Sequence, residues 1–264
     1  MFWTKYHAYV VIPTFIISFL AAFFIGRALK NKDDKIKMLP IQIVTIVILG
    51  LEVWKQVRGF IRGYDLYWIP LHFCSLFLYT LPLASFYKGK YKNEARALAS
   101  VVGACLFLFM AVYPAIIYPG EAVPSGLNYL LGKGGYFGDF HTVVFHSVAV
   151  FSFFLFAFLD VCDYNNKRNL LAVTFFMALY CVIVGPLSQI IKVNFNNFYH
   201  SNAPFIENVR VKLVASENWA WLGQTAYVIV ISIGTILVPV IAYYFTKLVK
   251  KLTNKINKGG CEKT

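Results

Sequence analysis

His72 and Cys74 stand two positions apart in WIPLHFCSLFLYTLP, residues 68–82, an apolar run punctuated by Pro70 and Pro82. A cysteine acts as a nucleophile through its thiolate, and a neighbouring histidine can take its proton. Attack on an ester carbonyl would give an acyl-cysteine, from which an alcohol, an amine or water collects the acyl group. Two further imidazoles, His141 and His146, lie in DFHTVVFHSVAVF. Glu52 is placed to orient a histidine, and the amides of Gln189 and Gln224 to donate to an oxyanion. Each residue also has a plainer reading. Cys74 packs as a small hydrophobe, and Glu52 pairs with Lys55 or Gln56 along its own helix. Ser188 and Gln189 follow Gly185 and Pro186, where they would satisfy backbone groups that the proline frees.

The elements that must hold these residues follow from composition. Of 264 residues 59% are hydrophobic and 14% charged, and the mean hydropathy is +0.62. Soluble domains carry about 25% charged residues, so a large water-facing surface is excluded. Crossing a bilayer core takes roughly 20 apolar residues. Seven such stretches occur, near 8–29, 38–57, 66–87, 95–118, 139–160, 169–193 and 219–246. The reading is all-α: a polytopic membrane protein, one transmembrane domain over 1–264, built as a bundle of about seven helices.

The net charge of +13 does not point to nucleic acid, because the basic residues gather at the ends of the spans. Segments 27–37, 88–96, 160–168 and the tail after 246 hold 17 Lys and Arg, against 8 in the alternate segments. By the positive-inside rule this predicts an outside N-terminus and a cytoplasmic C-terminus in the cell membrane. The tail KLVKKLTNKINKGGCEKT sets Lys247, Lys251, Lys255 and Lys258 along one helical face, suited to an anionic lipid surface.

At about 1.5 Å per helical residue, Cys74 lies roughly 12 Å, His146 roughly 10 Å and Glu52 roughly 8 Å below the outer boundary. Ser188, Gln189, Gln224 and Tyr113 fall in the same layer, whereas the inner halves of the spans are almost purely apolar. Polar groups at that depth face a bundle interior or a wet cavity, so the expectation is one outward-opening cavity. On a continuous helix His72 and Cys74 point about 200° apart, so a histidine serving Cys74 must come from another span, His146 best matching it in depth. No cofactor is expected, and no metal. The histidines and Cys74 lack the ligand spacings of zinc motifs, and Gly132-Lys133 in GLNYLLGKGG lacks a phosphate-loop pattern, which leaves an outer loop.

IPLHFCSL, Ile69 to Leu76, resembles the Pro-Leu-His-x-Cys signature of YwaF-type bacterial membrane proteins, and the histidine closing FHTVVFH matches their fifth-span histidine. That family is similar to a eukaryotic acyltransferase that remodels ether phospholipids through a cysteine and a histidine. More distantly it resembles the androgen-induced lipid hydrolases. The resemblance implies Cys74 as nucleophile, His146 as base and membrane phospholipids as substrate, with no role assigned to His72. The chain departs from the pattern after the sixth span, where Asn194, Asn196, Asn197 and Tyr199 replace a compact Asn-Tyr element. The rival expectation is a transporter or a lipid- or solute-binding protein that uses the same cavity without covalent chemistry.

Overall fold

The computed structural model describes residues 3–117, 120–201, 204–215 and 218–259, and they form a helical bundle. Its helices are α1 (Lys5–Leu29), α2 (Asp34–Arg62), α3 (Leu76–Phe86), α4 (Lys92–Val112), α5 (Ala122–Leu130), α6 (Phe137–Leu159), α7 (Lys167–Ile191), α8 (Pro204–Val214) and α9 (Ala220–Gly259). Six of them, α1, α2, α4, α6, α7 and α9, are long and apolar enough to cross a bilayer. Isoleucine, leucine and phenylalanine side chains such as Ile12, Ile16, Phe24, Ile43 and Phe175 stand exposed on their outer faces, as hydrocarbon-facing surfaces must. The chain is a multi-pass helical membrane protein.

Two helices form the core. α4 packs on α3, α6, α7 and α9, while α6 packs on α1, α2, α4, α5 and α9. The run Ala97, Ala99, Ser100, Gly103 and Ala104 gives α4 a slim, fully enclosed body, which lets neighbouring backbones come close. α1 approaches α6 as tightly at Gly26, where a Cβ would stand 2.7 Å from the Cβ of Phe158.

The third apolar stretch departs from the continuous 66–87 helix expected. Only Phe73–Phe86 is helical, as a 3-10 turn, Phe73–Ser75, running into α3. A separate 3-10 turn covers Leu66–Trp68, and the chain between is extended. The cause is local: a residue before proline is pushed out of the helical region, and Ile69, before Pro70, sits at φ −57, ψ 129. Two connections also hold structure where loops were expected. Gly126 of the 120–138 connection lies in α5, packed so closely on α6 that a Cβ would meet the Phe140 backbone nitrogen at 2.9 Å. The 194–218 connection holds α8.

The 27–37, 88–96 and 160–168 segments meet at one end of the bundle. There Arg96 forms a forked pair with Asp34 at 2.7 Å on both oxygens and donates to the Val161 carbonyl. Lys92 approaches Asp34, Arg168 approaches Glu94, and Lys250 meets Asp160. Cys74 and the histidines of α6 lie toward the opposite end.

Candidate functional site

An unwound segment within a membrane protein leaves carbonyls without helical partners, and these must be satisfied from elsewhere. Between residues 67 and 71 every one is. The Tyr67 carbonyl accepts from His72 Nε2 at 3.0 Å and the Trp68 carbonyl from Gln56 Nε2 at 2.9 Å. The Ile69 carbonyl takes the Leu71 amide at 2.7 Å. Tyr79 donates its hydroxyl to the Pro70 carbonyl at 3.0 Å, and Tyr180 of α7 donates to the Leu71 carbonyl at 2.7 Å. The break is therefore held by four side chains from three directions, and it carries Cys74 into the first turn of the following helix, half-buried.

His72 is one of those four side chains. It is extended, at φ −68, ψ 157, and its carbonyl accepts the Ser75 amide at 2.9 Å. The 200° separation expected for a continuous helix does not apply, because His72 precedes the helical turn that contains Cys74. With Nε2 committed to the Tyr67 carbonyl and its ring edge-on to Phe195 at 5.2 Å, His72 closes the loop on itself.

Glu52 is buried on α2 and is the hub of the polar layer. Its Oε1 receives Lys55 Nζ at 2.7 Å and Gln56 Nε2 at 2.6 Å. Its Oε2 lies 3.5 Å from Nε2 of His141, a buried nitrogen with no hydrogen bond among the described residues. Gln56 also takes the Tyr64 hydroxyl at 2.5 Å, so this one amide ties Glu52 to the broken segment. Cys74 lies within electrostatic reach of both Lys55 and Glu52, and Lys55 also reaches His72 and His141. Lys55 is the member that sequence reasoning missed, having treated it only as a helical neighbour of Glu52. Its signal was helix length, since α2 continues five residues past Val57 and keeps Lys55 inside the bundle.

On α6, His141 and His146 are both buried. His146 Nδ1 lies 2.7 Å from the Thr142 carbonyl. A carbonyl can only accept, so Nδ1 carries the hydrogen, and in the neutral ring Nε2 is the nitrogen with the lone pair.

Gln189 and Gln224 belong to a second node. Gln224 Nε2 donates to Gln189 Oε1 at 2.9 Å and to the Tyr199 carbonyl at 3.0 Å, and Gln189 Nε2 donates to the Phe198 carbonyl at 2.7 Å. Ser188 binds the Val193 carbonyl at 2.6 Å and takes the Phe195 amide. These donors fasten the 193–201 segment, whose Phe195 packs on His72; in this arrangement they face loop carbonyls. α8 adds Arg210, which grips both oxygens of Glu207 and donates to Gln224 Oε1 at 3.2 Å.

Arg210 holds the Glu207 carboxyl down to about 2, below the value near 4.3 of a free glutamate. The folded value is the lower one, so the stabilisation is complete above about pH 4.3 and fades as pH falls toward the folded value. Hydrogen-exchange protection factors over residues 194–214, corrected for the intrinsic pH dependence of amide exchange, are expected to fall across that window. In Glu207→Gln they should be low already at neutral pH. Protection unchanged by the substitution would remove Glu207 from the anchoring of α8.

Cys105, Cys162 and Cys181 are buried free thiols, and Cys261 lies outside the described residues. Among the described residues no three His, Cys, Asp or Glu cluster as metal ligands.

Comparison with known proteins gives one result. A family model, the TMEM164 family, matches residues 2–245. No curated protein and no solved structure matches the chain.

Proposed function

The chain belongs to the TMEM164 family, and from that premise we propose that it moves acyl groups between membrane lipids through an acyl-cysteine on Cys74, with His146 as base. The observation that carries the reading is the placing of Cys74. A half-buried thiol stands at the start of a helix, behind a break whose carbonyls are all satisfied and which Gln56 ties to the Lys55–Glu52 pair. The tautomer of His146 supports the assignment, since Nε2 is the atom that can accept a proton. The resemblance of Pro70-Leu71-His72-Phe73-Cys74 to the signature of YwaF-type membrane proteins, which are themselves similar to a cysteine-dependent ether-phospholipid acyltransferase, points the same way.

In this reaction His146 Nε2 takes the thiol proton while sulfur bonds to the ester carbonyl carbon. The tetrahedral oxyanion is stabilised by Lys55 and by the amide end of α3. Collapse breaks the ester C–O bond, and the proton on His146 passes to the departing lipid alcohol. An acceptor hydroxyl, an amine or water then attacks the thioester, and the thiol regains its proton. The excess of Lys and Arg at the opposite end orients that end to the cytoplasm, which opens Cys74 to the outer leaflet of the cell membrane.

The test is direct. Purified protein is incubated with phospholipid bearing an isotope-labelled acyl chain and its intact mass is measured. A hydroxylamine-labile adduct of one acyl chain is expected on the Cys74 peptide, and none in Cys74→Ser. The buried carboxylate of Glu52 favours the rival, a carrier that binds a proton or cation there. Turnover or uptake that persists in Cys74→Ser, with no adduct in the parent, would establish the carrier instead.

A further inference from the structure

The far end of the bundle holds a polar groove unconnected with Cys74. It has a volume of about 660 Å3 between α9 and the segment joining α6 to α7, lined by Tyr164, Asn165, Tyr244, Lys247, Leu248, Lys250 and Lys251. α9 continues helically past its apolar run and is fixed against that segment. Tyr243 donates to the Tyr164 carbonyl at 3.0 Å, Lys250 meets Asp160 at 2.7 Å and the Cys162 carbonyl, and Thr253 reaches the Ala157 carbonyl at 3.2 Å. The groove is therefore a preformed feature of the fold.

Its charge balance is uneven. Asp160 is taken up by Lys250, and Asp163 accepts the Asn165 amide at 2.9 Å. Lys247 and Lys251 are exposed and have no carboxylate within ion-pair distance among the described residues. They stand four residues apart on one helix, where like charges repel, and an anion between them would relieve that repulsion. Asn165 and Asn254 add amide donors to the same walls. Leu248 and the exposed ring of Tyr244 supply an apolar border on either side of Phe245, where the hydrophobic run of α9 ends.

We propose that this groove binds the phosphate headgroup of an anionic phospholipid, the phosphate lying between Lys247 and Lys251 and an acyl chain along Leu248 and Tyr244. The apolar border selects a lipid over a free phosphate ion. The site is independent of the acyl chemistry at the other end.

The full chain in detergent is titrated with phosphatidylglycerol, phosphatidylcholine or inorganic phosphate, and lipid occupancy is read by native mass spectrometry. Phosphatidylglycerol is expected to bind well above phosphatidylcholine. Each lysine near an anionic lipid contributes about 1 kcal/mol, so Lys247→Gln with Lys251→Gln should weaken phosphatidylglycerol roughly thirtyfold. Lys88→Gln with Lys90→Gln removes the same charge at the same end and should change binding less than about threefold. Equal losses in the two double variants would mean general surface attraction and overturn the site. Displacement of phosphatidylglycerol by inorganic phosphate at comparable concentration would overturn the lipid as its occupant.

Discussion

Replacing Glu52 by leucine should lower the stability of the bundle by about 3–5 kcal/mol, the cost of leaving a buried charge without its partner. The stranded charge is Lys55, whose side chain is only 16% exposed and whose ammonium lies 2.7 Å from the lost carboxylate. Gln56 loses a 2.6 Å partner at the same time, which loosens the amide that caps the Trp68 carbonyl. The added substitution Lys55→Met removes the stranded ammonium, so the double variant should recover most of the loss, since a buried pair exchanged for apolar residues of similar size is often neutral. Denaturation of the four proteins of this cycle in detergent gives the coupling directly. A Glu52→Leu cost under about 1 kcal/mol, or one that Lys55→Met does not relieve, would show that water reaches the pair and that Glu52 is no hub.

The sequence shows clearly what depends on run length. A run of some 20 apolar residues has few alternatives to a membrane helix, and six of the seven stretches are such helices. It shows less where backbone and side chains must be matched. The Ile69-Pro70 pair announced a boundary. Nothing local, however, indicates that Tyr180, over a hundred residues away, donates to the Leu71 carbonyl. Depth alone placed Glu52, His141 and Cys74 in one layer, and it gathered Gln189 and Gln224 into the same layer. Depth is one coordinate, whereas the split between the Glu52 cluster and the loop-fastening node depends on rotation about helix axes and on the path of residues 193–201. α5 and α8 were hidden for a different reason. They are short and only modestly apolar, and they are stabilised by contact with α6 and α9 rather than by their own composition.

Cys74, His146 and His72 should separate sharply in an acyl-transfer assay. Cys74→Ser removes the proposed nucleophile and should abolish turnover. His146→Ala removes the proposed proton acceptor and should cost about 10²–10⁴-fold in single-turnover rate. His72→Ala should behave in the opposite sense. It leaves the exposed Tyr67 carbonyl short of its 3.0 Å donor, a cost of about 0.5–1.5 kcal/mol for one hydrogen bond, while turnover measured well below the melting temperature stays within about tenfold of the parent. His72→Gln offers an amide hydrogen to the same carbonyl and should recover part of that stability. No equivalent rescue exists for His146, since an amide cannot take up a proton at Nε2. If His72→Ala instead ends turnover in a protein that still melts at the parent temperature, then His72 is the base, and the segment 66–75 carries both halves of the chemistry.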